Sequence, residues 1–174
     1  YISVTGVQTC ALPIFGYEAA FTSNTNSGTF AIGYQALRNN TGAGNFAMGY
    51  ASGDSITTGA YNLLAGYQSG TALTTGTYNV AIGYNALLSA SSTSYNTAIG
   101  YEALRNYTGS GNLGIGYYAL RNATGSYNLG IGYYAGGTIT TGAYNLAIGE
   151  YALQSAVTSS YNTAIGYYAG YQRS

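Results

Sequence analysis

The stretch Asn96-Thr97-Ala98-Ile99-Gly100-Tyr101-Glu102-Ala103-Leu104 decides the fold, because it returns along the chain with few changes. Its central Gly recurs at Gly16, Gly33, Gly49, Gly66, Gly83, Gly100, Gly116, Gly132, Gly149 and Gly166. Successive members of this series lie either 17 or 16 positions apart, so ten units fill the chain, the first of them truncated. Self-similarity at a fixed period is the mark of a repeat architecture, and a helix-pair repeat needs about 33 residues or more. A unit half that long suits one coil of an all-β parallel solenoid, with two short strands and two turns. A segment such as Tyr-x-Ala-Leu-Arg-Asn is too short for a free-standing helix and allows one helical turn at most.

Within the unit, Asn-x-Ala-Ile-Gly-Tyr alternates in period two. Asn, Ala and Gly fall on one face, and the residue after Asn, Ile and Tyr on the other. Tyr, Ile and Thr favour strands, and Thr-Gly, Ser-Gly and Gly-Asn punctuate turns. Stacked coils bring equivalent residues into register about 4.8 Å apart, giving a rod of roughly 45–50 Å. The column Asn45, Asn62, Asn79, Asn96, Asn112, Asn128, Asn145 and Asn162 is expected to share side-chain amide hydrogen bonds along the axis. The Ile column (Ile32, Ile82, Ile99, Ile115, Ile131, Ile148, Ile165) is expected to supply a thin continuous core. Small residues three places after each Gly leave room for close approach. The next position alternates between Leu (Leu37, Leu87, Leu104, Leu120, Leu153) and Gly (Gly53, Gly70, Gly136, Gly170). The wobble of a single residue in the repeat length belongs to the polar loop.

Composition narrows the function. Of 174 residues only eight are charged: Arg38, Arg105, Arg121 and Arg173 against Glu18, Asp54, Glu102 and Glu150. Ordinary globular domains carry about 25% charged residues; this chain has 5%, with no His or Trp, one Cys and one Pro, but 27 Gly and 22 Tyr. Such a chain lacks the basic patch that nucleic acid or an anionic membrane would require. It lacks the usual zinc ligand set, and no Ser-His-Asp or Cys-His pair can form. Glu18 and Glu102 occupy equivalent positions five coils apart, about 24 Å, too far for a glycosidase carboxylate pair at roughly 5–9.5 Å. No catalytic, cofactor or metal residues are assigned, and the chain is read as a non-enzyme. No apolar run reaches the roughly 18 residues of a membrane span. Zero net charge and a 47% hydrophobic content point to association that hides surface.

Residues 1–14 stand apart from the repeat and hold the only Cys, Cys10, and the only Pro, Pro13. The string from Val4 to Ile14 resembles the translation of a common sequencing adapter, so 1–14 are set aside as non-native. Residues 15–174 are read as one solenoid domain, a fragment of a longer protein.

At its repeated core the sequence resembles the head repeats of trimeric autotransporter adhesins, whose signature is Asn-Ser-x-Ala-Ile-Gly. It is closer still to the Asn-Thr-Ala-Ile-Gly-Tyr-x-Ala-Leu arrays of bacterial and phage tail-fibre-like proteins. The matching residues are Asn96 to Leu104 and Asn162-Thr163-Ala164-Ile165-Gly166-Tyr167, and the resemblance covers 15–174. The units here are longer and richer in Tyr than adhesin head repeats. The resemblance implies a left-handed parallel β-roll, a homotrimer, and display at a cell surface or on a virion tail fibre. It implies a structural or adhesive role with a host glycan or protein as the ligand. An ice- or glycan-binding solenoid is the alternative, suggested by the Tyr columns and by Thr57-Thr58-Gly59, Thr74-Thr75-Gly76 and Thr140-Thr141-Gly142. The Tyr columns are expected to stabilise the solenoid by ring stacking. The sequons at Asn39, Asn106 and Asn122 follow from an Asn- and Thr-rich composition and carry no assigned role.

Overall fold

A computed structural model of the chain describes residues 14–22, 28–154 and 158–171. Most of the segment 1–14, with Cys10 and Pro13, lies outside the described residues, as does Arg173. The fold is an all-β solenoid with one strand in each repeat unit. Its strands are β1 (Ile14–Phe15), β2 (Phe30–Ile32), β3 (Phe46–Met48), β4 (Leu63–Ala65) and β5 (Val80–Ile82). They continue as β6 (Thr97–Ile99), β7 (Leu113–Ile115), β8 (Leu129–Ile131), β9 (Leu146–Ile148) and β10 (Thr163–Ile165). They pair in parallel, in chain order, as one ten-stranded sheet. Register follows the repeat: Ala81 pairs with Ala98 and Ile82 with Ile99 across a unit of the longer kind. Ala98 pairs with Gly114 and Ile99 with Ile115 across a unit of the shorter kind. The extra residue is therefore absorbed outside the strands.

Each described coil has one short strand rather than the two expected, and no helical turn. The reason lies in the backbone after the Gly. Glu102 has φ 51° and Leu104 φ 50°, and the equivalent residues of other coils repeat this left-handed alternation. Such angles cost a non-Gly residue roughly 1–2 kcal/mol and fit neither strand nor right-handed helix. They persist because they turn alternate N–H groups toward opposite neighbours. Glu102 N–H donates back to Tyr84 O (2.9 Å), and Leu104 N–H donates forward to Ala119 O (3.1 Å). The turn is thus hydrogen-bonded along the axis as the strand is. At Gly100 (φ +131°) a Cβ would run into the carbonyl of Gly116 in the next coil. Only Gly lets the coils stack this closely.

The core reverses one expectation. In each strand the inward residue is the middle one, usually the Ala of Ala-Ile-Gly: Ala31, Ala47, Ala81, Ala98 and Ala147 are fully buried. The Ile column faces outward, with Ile82 37% and Met48 46% exposed. Where the turn already supplies a Leu, the inward strand position has room only for a small residue: a Cβ on Gly130 would lie 2.7 Å from Leu120 Cγ, and the one large inward residue of the complete strands, Leu64, lies beside Gly53 and Gly70. The Leu of the turn (Leu37, Leu87, Leu104 or Leu120) is fully buried. Where Gly53, Gly70 or Gly136 replaces it, the aliphatic side chain arrives three positions later as Ile56, Leu73 or Ile139, also fully buried. A Cβ on Gly136 would lie 2.7 Å from Leu120 Cδ2 and 3.0 Å from Ile139 Cδ1. The Leu/Gly alternation therefore tracks interior volume: beside Gly53 and Gly70 the fully buried Leu64 also takes up the space, while the Leu104 coil holds the fully buried Tyr107 as well.

The Asn column behaves as expected. Asn62 donates its backbone N–H and its Nδ2 to Asn45 Oδ1, both at 3.0 Å. Asn79 does the same to Asn62 Oδ1 (2.9 and 3.0 Å) and Asn96 to Asn79 Oδ1 (3.0 and 3.2 Å). The second Nδ2 proton reaches a loop carbonyl of the following coil, as in Asn62 to Gly76 O at 2.9 Å. Asn112 turns its Nδ2 to Ser110 O instead (2.8 Å), but the backbone rungs continue through it. Buried amides with both ends engaged avoid the penalty of roughly 1–3 kcal/mol for an unsatisfied polar group. Thr29 interrupts the column, and beside it Asn40 supplies the Oδ1 that Asn45 Nδ2 reaches at 2.9 Å.

Candidate functional site

Because the strands turn their middle residue inward, their other residues form an outward sheet face two columns wide. One column is Phe30, Phe46, Leu63, Val80, Thr97, Leu113, Leu129, Leu146 and Thr163. The other runs Phe15, Ile32, Met48, Ala65, Ile82, Ile99, Ile115, Ile131, Ile148 and Ile165. Neither contains a charged residue. Phe30 and Phe46 stack at 4.2 Å between ring centroids. Each strand contacts, among the strands, only its neighbours in the sheet, so no other strand of the described chain covers this face.

Just past the Gly, one edge of the face carries a column of Tyr. Tyr17, Tyr34, Tyr50, Tyr67, Tyr84, Tyr101, Tyr117 and Tyr133 stack in sequence, with neighbouring centroids 4.9–5.4 Å apart and planes within 13°. All eight are exposed. The column ends where Glu150 takes the next place. Five residues before the Gly, Tyr61, Tyr78 and Tyr95 form one shorter stack. Tyr127, Tyr144 and Tyr161 form another, with Gly111 between the two. The stacking expected of the Tyr columns is present, and it turns ring faces toward one another and ring edges toward solvent. Where Tyr is doubled, the second ring packs back: Tyr118 meets Tyr134 edge-on at 4.7 Å, with the Arg121 guanidinium 4.6 Å over the Tyr118 ring.

This crowding favours the neutral phenol. Tyr117 is pushed up to about 12 by its hydrogen bond to Tyr118, with burial and the flanking phenols adding. Tyr151 reaches about 12, chiefly through desolvation and then a hydrogen bond with Tyr133. Tyr107 is fully buried, its hydroxyl donating to Gly125 O at 3.3 Å, and burial raises it as well.

Apart from Glu150, the charged residues described lie elsewhere, in two clusters on the turns. Arg38 sits 2.9 Å from Asp54 and 3.7 Å from Glu18, whose carboxylate also accepts from Gln35 Nε2 at 2.8 Å. Burial nonetheless lifts the Asp54 carboxyl above its ordinary value, against the pull of Arg38. Glu102 meets Arg121 at 2.8 Å and Arg105 at 3.6 Å. Glu18 and Glu102 thus belong to separate ion clusters. Among the described residues, no three His, Cys, Asp or Glu group as a metal site would require. Among the same residues, no helix is long and apolar enough to cross a membrane.

The Thr residues form a more regular column than their pairing in sequence suggests. Thr41, Thr57, Thr74 and Thr124 each donate their hydroxyl to the backbone carbonyl one coil on, at 2.9–3.1 Å. Those protons bind the solenoid to itself rather than facing a ligand. The sequon Asn residues are engaged in the same way: Asn39 Nδ2 with Asp54 O, Asn106 Nδ2 with Asn122 Oδ1, and Asn122 Nδ2 with Gly137 O.

Compared with protein-family models, with curated proteins and with solved structures, the chain matches none. Its functional reading therefore rests on geometry and on the resemblance of its repeated core.

Proposed function

We propose that this chain is a rigid, non-catalytic segment of a fibrous surface protein, a cell-surface adhesin or a tail fibre, and that it assembles through the outward face of its sheet. The carrying observation is that face: ten strands long, apolar in nearly every position of both columns, uncharged, and covered by no other strand. It runs nine strand spacings of about 4.8 Å, and four residue steps of about 3.3 Å separate its far column from the Tyr rim, so it spans on the order of 600 Å². Monomeric soluble proteins rarely expose contiguous apolar patches larger than a few hundred Å². A standard interface buries about 800 Å² per partner. Copies of the same chain are the natural occupant, because closed symmetry about an axis hides the same face on every copy. The number three, the left-handed winding and the surface location rest on the resemblance to adhesin head and tail-fibre repeats. In that assembly the ion clusters and turn loops face outward, where a host glycan or protein would be met. The axial network of Asn amides, Tyr rings and backbone bonds suits a part that must transmit force without bending.

Light scattering on the full chain over a range of concentrations tests the assembly. A stable mass of three chains is expected. A folded species with the mass of one chain at every concentration would overturn it.

A further inference from the structure

We infer that the eight-membered Tyr column is a site of oxidative cross-linking, at which a one-electron oxidant joins successive coils through dityrosine. Three observations carry this. The first is geometry: Tyr17, Tyr34, Tyr50, Tyr67, Tyr84, Tyr101, Tyr117 and Tyr133 hold their rings one coil apart at 4.9–5.4 Å. Each phenol has its partner one rung away, and each ring turns on two side-chain torsions. The second is access, since all eight rings are exposed along one edge of the rod. The third is composition. The residues that ordinarily intercept an oxidant are almost missing: no Trp, one Met and one Cys, against 22 Tyr.

The step balances with a peroxidase and hydrogen peroxide as the oxidant. Two phenols each give up one electron and one proton, and the electron pair and both protons reduce one peroxide to two waters. The two phenoxyl radicals couple through carbons ortho to oxygen, forming one C–C bond. The hydrogen on each coupled carbon then moves to its oxygen, restoring both aromatic rings. A stack of like phenols also lets a radical formed at one ring pass along the column before it couples. Cross-links between successive coils would close a series of loops, each one coil long, and such closure stabilises chiefly by restricting the unfolded chain.

The Arg positions make the test direct. Cleavage after Arg38, Arg105 and Arg121 places Tyr34 on peptide 1–38, Tyr50 through Tyr101 on 39–105, Tyr117 on 106–121 and Tyr133 on the peptide that follows. The full chain, mixed from isotope-labelled and ordinary copies, is treated with a haem peroxidase and hydrogen peroxide, unfolded, cleaved and mass-analysed. The expected result is dityrosine joining consecutive peptides, within one isotopic chain, with no link between 1–38 and the peptide beginning at 122. Tyr34→Phe keeps the ring and the stack but removes one phenol. It should abolish the link between 1–38 and 39–105 and leave the other links in place. The inference is overturned if no dityrosine forms or if links ignore coil order. It is equally overturned if links run only between chains, or if the Tyr34→Phe chain is linked as before.

Discussion

Ala98 and Ile99 are neighbours in β6, yet they face opposite worlds. Ala98 is fully buried among the Leu residues of the core, while Ile99 lies on the open sheet face. The same division holds in every complete strand, and it separates two kinds of apolar surface in one molecule. The inner surface is small-residue, volume-limited and tied to the Asn ladder, so it answers for the stability of the lone chain. The outer surface is mostly large-residue and covered by no other strand, so it is the surface on which the proposed assembly depends. An apolar column does not by itself say which of these it belongs to.

Substitution across that divide should produce the largest contrast. Leu104→Ala empties a fully buried slot and should cost about 2–5 kcal/mol. Ile99→Thr places on the outer face a residue already present there at Thr97 and Thr163, and should cost the unassembled chain under about 1 kcal/mol. Denaturant unfolding of the two variants checks this, and equal losses would erase the distinction between the faces.

A finer contrast lies within the inner surface. Gly136→Leu overfills a coil whose slot Ile139 already occupies, and should cost about 1–3 kcal/mol. Adding Ile139→Ala reproduces the arrangement of Leu87 with Ala90 and should recover part of that loss. A double-mutant cycle reads the coupling, expected to be favourable by about 0.5 kcal/mol at the least. Strict additivity would mean that the two positions do not share a slot.

The outer edge should respond to alkali. Tyr117 and Tyr151 ionise in the folded chain at about 12 rather than near 10. Between those values the unfolded chain has lost protons that the folded chain keeps, so stability falls as pH rises from about 10 to 12. Below 10 these groups contribute no pH dependence. Unfolding midpoints across this window measure the slope, and a flat profile would show that the crowded column does not hold its phenols neutral.

Much of this was legible in the residues. The spacing of Gly100 and its equivalents predicts parallel coils in register, and the Asn column predicts its own ladder. The placement of Ile99 was not legible, because period-two alternation separates two faces without saying which is inside. Here both faces carry apolar residues, and the space left by the Leu of the turn decides which strand residue goes inside. The second strand expected of each coil is absent from the described residues for a related reason: Glu102 and Leu104 have left-handed backbone angles that no propensity suggests. One signal was present and missed. Ile56, Leu73 and Ile139 stand three residues after Gly53, Gly70 and Gly136, so the compensation of core volume was written in the sequence. The face proposed for assembly depends on that outward placement of Ile.

The most direct test is the solution mass of a chain carrying Ile82→Lys with Ile115→Lys, two outward positions two coils apart, measured by light scattering beside the unaltered chain. The account predicts a folded solenoid with the mass of one chain, because the charges disturb the assembling face and leave the Ala, Leu and Asn interior untouched. A variant that keeps the oligomeric mass of the unaltered chain, or that fails to fold as a core substitution would, contradicts it.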